Sequence, residues 1–289
     1  MDLMFFRIVF FCTCVISSVL HAASMCPEYS DGDKVALLFL TRSELNQPNL
    51  WRVLLRESGN EKRFSVYIHS KNGMNDPYFK RYCLTQTVPT CWEKHVKAWQ
   101  VLIREALKDP KNKKFVFLTE SCVPLYSLEY VYNVLMSDAA THMWYHRPWW
   151  GRGTRDVLEI DPQYRWGNSE RMVLNRKHAE IIANDEQIIG ITSQYHIDVE
   201  SYFASLLAIH GCLHEAVNHT YFYELWDYLG RGSSPWSLNG VSDFNNRLID
   251  KAYFSQNRYL FIRKIATDYP QIELLTMIRK HSKQQFPPT

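Results

Sequence analysis

The chain has 289 residues, 46% of them hydrophobic and 22% charged, with 33 Lys and Arg against 30 Asp and Glu. That composition fits a globular protein long enough to bury a sizeable core without metal or disulfide staples. A formal net charge of +3 gives no ground for a nucleic-acid partner or for binding to an anionic membrane surface.

The N-terminus is laid out as a secretory signal. Arg7 stands before an apolar run from Ile8 to Leu20, and the small residues Ala22, Ala23 and Ser24 follow. The alternative is an uncleaved signal-anchor over Phe5 to Leu20. Both readings separate residues 1–23 from a lumenal or extracellular domain over 24–289, with membrane contact expected only through the N-terminal segment. Asn218-His219-Thr220 is a triplet of the N-glycosylation type, which suits that compartment. Cys26, Cys83, Cys91, Cys122 and Cys212 show no C-x-x-C spacing, which argues against zinc. An oxidising lumen allows one or two disulfides among them, with the pairing open.

Val35 to Leu40 reads as a fully buried strand, and Leu50, Trp51, Val53, Leu54 and Leu55 suggest a helix after it. Phe64 to His69 is a second strand, ended by Lys71-Asn72-Gly73. Val96, Trp99, Ile103 and Leu107 recur at helical spacing, which predicts a helix over Trp92 to Leu107. Phe115 to Leu118 is a third buried strand. Leu128 to Met136, Met172 to Ala183 and Tyr202 to His210 are expected to be helical. Buried strands alternating with helices imply an α/β fold, a mostly parallel sheet flanked by helices in one catalytic domain. Ligands of such sheets bind beyond the carboxyl ends of the strands, here Thr41-Arg42, His69-Ser70 and Thr119-Glu120-Ser121.

No phosphate loop, G-x-S-x-G elbow or H-E-x-x-H is present, which disfavours a P-loop NTPase, an α/β-hydrolase and a zincin. His210, Cys212 and His214 lack an evident fourth metal ligand. The literal D-x-D, Asp31-Gly32-Asp33, precedes the first strand and reads as a turn.

Several blocks carry a specific pattern: KVALLFLTR from Lys34 to Arg42, VYIH from Val66 to His69, and FVFLTESCVPLY from Phe115 to Tyr126. Gly151-Arg152-Gly153-Thr154-Arg155 and Arg165-Trp166-Gly167-Asn168-Ser169 follow. Further on stand Asp198-Val199-Glu200-Ser201-Tyr202-Phe203, Arg231-Gly232-Ser233-Ser234-Pro235 and Leu260-Phe261-Ile262-Arg263-Lys264. In order and spacing the chain resembles the core-2/I-branching β-1,6-N-acetylglucosaminyltransferase family, most closely its plant-type branch.

The resemblance implies a variant GT-A fold, a UDP-sugar donor (usually UDP-N-acetylglucosamine), a glycan acceptor, inversion at the anomeric carbon, and no metal or other cofactor. It also implies a type II protein of the Golgi, or a secreted form if the leader is removed. Glu200 matches the catalytic glutamate of the family's D-E-x-Y block, read here as V-E-S-Y. Val199 stands where that block has its first acid, so Asp198 is the alternative base or its partner. Lys264, with Arg263 beside it, matches the diphosphate-binding lysine, and Arg231 is a second candidate for the phosphates. Thr41, Arg42 and His69 are expected at the uridine, and Glu120 in the cleft. Arg152, Arg155, Trp226 and Tyr228 are candidates for the acceptor side. The competing readings are another donor such as UDP-xylose or UDP-glucuronic acid, a glycosidase using Glu120 and Glu200, and a glycan-binding protein without turnover.

Overall fold

The structure, a computed structural model, describes residues 29–30, 32–147, 159–195, 198–226 and 234–283. The leader, Cys26, Asp31, Arg152, Arg155, Tyr228 and Arg231 lie outside the described residues.

Strand β1 (Lys34–Thr41) is followed by helix α1 (Pro48–Arg56) and β2 (Phe64–Ser70). Helix α2 (Val96–Leu107) leads to β3 (Asn112–Thr119), the short β4 (Val123–Pro124) and α3 (Leu128–Leu135). Next come β5 (Thr141–His146), β6 (Gly167–Asn175), α4 (Arg176–Asn184), α5 (Gln187–Thr192) and α6 (Val199–Ile209). The last elements are β7 (Ala216–Asn218), β8 (Phe222–Glu224), α7 (Asp243–Tyr253), β9 (Phe261–Arg263) and α8 (Gln271–Ser282).

Six strands form one mixed, mostly parallel sheet in the order β2-β1-β3-β6-β5-β7. The β2–β1, β1–β3 and β5–β7 pairs are parallel, and β6 lies antiparallel to both β3 and β5. A smaller sheet orders β4-β9-β8. Side-chain alternation explains why the large sheet is covered on both faces. Val35, Leu37, Phe39, Val116, Leu118 and Val173 face one layer, which holds α1, α7, α8 and the small sheet. Ala36, Leu38, Phe115, Phe117, Met172 and Leu174 face the other, packed by α2, α4 and α6.

Two expectations are corrected. Met172 to Leu174 belong to β6, and the helix starts only at Arg176, where the Asn175 side chain caps it by accepting the His178 N–H at 2.9 Å. A short apolar run fits a buried strand and a helix equally well, and here the gap between β3 and β5 decides. Trp92 and Glu93 are likewise not helical. Cys91 and Lys94 exchange both backbone hydrogen bonds at 3.2 Å, and Glu93 takes the left-handed φ of 62° at the tip of that turn. The helical repeat therefore starts at Val96.

Near the N-terminus, Gly32 at φ 102° and the Ser30–Asp33 hydrogen bonds form the expected turn. The described cysteines Cys83, Cys91, Cys122 and Cys212 are free thiols. Asn218, at the end of edge strand β7, turns its side-chain amide to the neighbouring β5, accepting from Tyr145 N–H and donating to Tyr145 O, both at 2.9 Å. Among the described residues no helix is long and apolar enough to cross a membrane.

Trp99 is fully buried and stacks on Phe117 with ring centroids 4.4 Å apart, while its Nε1–H finds no acceptor among the described residues. Trp99→Ala should therefore cost about 3–5 kcal/mol, and Trp99→Phe, which keeps the stack and removes the orphan donor, less than about 1.5 kcal/mol. Urea-unfolding midpoints of the two variants measure the difference.

Candidate active site

From β1 the chain crosses to β2 on one side and then to β3 on the other, so the strand order reverses beyond the carboxyl ends of β1 and β3. A crevice at such a point is where an open α/β sheet binds its ligand. Thr41 is buried there with its hydroxyl donated to Ser43 O at 2.9 Å, and Arg42 is exposed beside it. His69, at the end of β2, is fully buried, and its Nε2 accepts the Val88 N–H at 3.0 Å. Burial lowers its pKa, so the neutral ring acts as an acceptor that ties down the segment after β2.

Glu120 follows β3 with a half-buried side chain. Three hydrogen bonds, two of them between backbone groups, tie the loops after β1 and β3 to the segment after β9. Ile265 N–H donates to Ser121 O at 2.9 Å, Asn46 N–H to Glu120 O at 2.9 Å, and the Asn46 amide to Ile265 O at 2.8 Å. Lys264 is thereby carried to the carboxyl end of β3. Its Nζ bonds the Ser234 hydroxyl. Burial and the neighbouring Arg263 and Arg171 lower its pKa, against the opposing charges of Glu224 and Glu120. Arg263 faces Glu224 across the β8–β9 register, with Nη1 2.5 Å from the carboxylate. Trp226, just beyond β8, is 48% exposed.

The start of α6 carries the acids that the motifs single out. Glu200 sits half-buried in its first turn. Asp198 precedes the helix and is buried; its N–H donates to Glu93 O, and its Oδ1 accepts the His95 N–H, both at 3.1 Å. Burial raises the Asp198 pKa. From β6, the Asn168 amide donates to Val199 O at 2.9 Å and accepts the Ala204 N–H at 3.1 Å, holding α6 against the sheet.

Residues that the sequence reading did not single out join these two parts. His95 Nε2 lies 3.1 Å from Glu170 Oε1, and Arg171 Nη2 lies 2.6 Å from Glu170 Oε2. Arg171 Nε in turn lies 3.9 Å from the Glu224 carboxylate that holds Arg263. Burial alone would raise the Glu170 pKa, but Arg171, His95 and Arg263 outweigh it and hold this carboxylate far below its ordinary range. Burial likewise opposes charge on His95, and Glu170 overcomes it, so the pKa of the imidazole is raised. A run of charges thus extends from Asp198 to Lys264. The signal in the sequence was Glu170-Arg171, two adjacent charges between the Arg165-Trp166-Gly167-Asn168-Ser169 block and the apolar run Met172 to Leu174.

His210, Cys212 and His214 are not gathered into a site. Among the described residues no group of three or more His, Cys, Asp or Glu side chains is arranged to hold a metal ion.

Residues 35–252 match the family model described as Core-2/I-Branching enzyme. The chain belongs to this family. It is 29% identical over 231 residues to "Glycosyltransferase BC10" of Oryza sativa subsp. japonica, a match over 67% of this chain and 58% of that protein. The chain therefore spans little more than half the length of that relative. Among solved structures, a glycosyltransferase "involved in the glycosylation of the major capsid of PBCV-1" aligns with 84% of this chain and 98% of its own. Its TM-score is 0.39 at 11% identity. "A197 from STIV" aligns with 53% of this chain and 69% of its own, with TM-score 0.26 at 10% identity. Both TM-scores are too low to carry a claim about fold or chemistry. The resemblance read from the motifs and the match to the family model agree.

Glu170 stabilises the fold only while it is ionised. That contribution is complete above the ordinary carboxylate value of 4.5 and is lost as the pH falls through the depressed folded value. The urea midpoint should drop on acidification from about pH 5 to about pH 3, and drop less steeply in Glu170→Gln.

Proposed function

We propose that the chain is an inverting, metal-independent glycosyltransferase of the secretory pathway. It moves N-acetylglucosamine from UDP-N-acetylglucosamine to a glycan hydroxyl, forming a β-1,6 branch. The observation that carries this reading is the convergence of Lys264 and Glu120 at the strand-order reversal, in a chain of the Core-2/I-Branching enzyme family. The N-terminal apolar segment is its signal or anchor, and the Golgi lumen or the exterior its compartment.

The chemistry follows from the charges present. The acceptor hydroxyl oxygen attacks the anomeric carbon from the face opposite the diphosphate, so the configuration inverts. Its proton passes to the Glu200 carboxylate. The bond from the anomeric carbon to the diphosphate oxygen breaks, and that electron pair leaves with UDP. Lys264 meets the developing charge, and Arg263, whose guanidinium is already engaged by Glu224, adds to the local positive potential through space. Asp198 suits the base role less well, because its carboxylate is buried and accepts a backbone N–H. Thr41 and Arg42 line the uridine end, Glu120 the sugar, and Trp226 the acceptor side. His69 supports the uridine end through the segment it tethers. Arg231, Arg152, Arg155 and Tyr228 keep the phosphate and acceptor roles that the family resemblance implies.

Transfer by the purified protein, measured with a panel of UDP-sugars in EDTA, tests the reading. Glu200→Gln should lower kcat by about 10²–10⁴-fold. Lys264→Ala should lower kcat by about 10²–10³-fold, and it should weaken the thermal stabilisation by UDP that wild type and Glu200→Gln both show. Activity lost in EDTA would overturn the metal-free mechanism. Activity with only another UDP-sugar would reassign the donor, and silence with every donor would favour a glycan-binding protein.

A further inference from the structure

The two halves of the proposed site belong to different layers of the fold. Asp198 and Glu200 stand at the start of α6, which packs on the α2 and α4 face of the large sheet. Lys264 follows β9 in the small sheet, on the opposite face. β6 lies between these layers. Its residues alternate, with Met172 and Leu174 in one core and Val173 in the other. The register with β5 shifts between Met172 and Asn168, and beyond that shift the contacts assign the sides: Asn168 bonds Val199 and Ala204 of α6, Glu170 meets His95, and Arg171 approaches Glu224 of β8.

Each direction is anchored. Glu170 holds the His95 ring, and the His95 backbone N–H holds Asp198. Arg171 is 3% exposed; it holds Glu170 at 2.6 Å and approaches Glu224, which holds Arg263, the residue before Lys264. The backbone carbonyl of Arg171 also accepts the Thr220 hydroxyl at 3.1 Å, fixing the start of the segment that becomes β8.

We propose that Glu170 is a positioning residue that sets the spacing between Glu200 and Lys264 across β6. Glu170 touches neither reactant. It acts through His95 and Asp198 on one side and through Arg171, Glu224 and Arg263 on the other. The inference rests on the assignment of Glu200 as base and Lys264 as diphosphate ligand. Its physical basis is that transfer requires both groups on one sugar at once, whereas nucleotide binding needs only the Lys264 half.

The test separates these two requirements. Kinetics of Glu170→Gln and His95→Asn are measured below their melting temperatures, alongside UDP affinity by calorimetry. Both variants should lose about 10²-fold in kcat, while KM for the UDP-sugar and Kd for UDP stay within about threefold. The His95 variant breaks the same contact from its other end and covers the case in which Glu170→Gln fails to fold. Folded variants with wild-type kcat would overturn the proposal. So would UDP affinity falling in step with kcat, which would mark Glu170 as a general support of the fold. Wild type that binds UDP but transfers nothing would instead remove the underlying assignment of function.

Discussion

The site depends on one ion pair, Glu170 with Arg171, set in β6 where its register with β5 shifts between Asn168 and Met172. β6 enters the sheet antiparallel between β3 and β5, with α6 on one face and the small sheet on the other. Two adjacent charged residues at such a place serve both layers. Their mutual contact spares each from being buried alone, which would cost far more than the pair does. The strand is otherwise apolar toward its carboxyl end, so the charges fall where the core stops and the cleft starts.

The remainder of the site is held mainly through backbone groups. Loops after β1, β3 and β9 meet through Asn46, Glu120, Ser121 and Ile265, all four engaged by main-chain N–H or carbonyl, with the Asn46 side-chain amide adding one further bond. Side chains at such a junction are free to vary with substrate while the junction persists. The α6 end is arranged differently: its position relies on the side chains of Asn168 and Asp198.

Much of the fold was legible because its strands are buried on both faces. Val35 to Leu40 and Phe115 to Leu118 are continuous apolar runs of strand length with polar residues on both flanks, as strands of a sheet covered on both faces require. Met172 to Leu174 misled because the run is short and leads directly into a true helix, so periodicity could not find the junction. Trp92 misled because a turn built on a left-handed glutamate has no compositional mark. Glu200 and Lys264 were visible only through family motifs, since an isolated acid or lysine reads as surface. His95, Glu170, Arg171 and Glu224 escaped notice for a related reason. Apart from the adjacent Glu170–Arg171 pair, their role comes from partners 39 (Glu224 to Arg263) to 103 (His95 to Asp198) residues away along the chain, and no local pattern encodes such a meeting.

That separation has a kinetic side. Strands β1, β2 and β3 come from segments close in sequence, although α4, α6, α7 and α8 later cover their two faces. The opposite wall of the cleft waits for β6, α6, β8 and β9, the last of which is parallel to β8 and more than a hundred residues beyond β3. Contacts that close long loops form late and open first when held by few residues. β8 and β9 have three residues each, so a partial opening of the small sheet displaces Arg263 and Lys264 and leaves the β1, β2 and β3 pairing intact. The molecule thereby has a graded vulnerability, in which the placement of Lys264 is lost before the pairing of the first three strands.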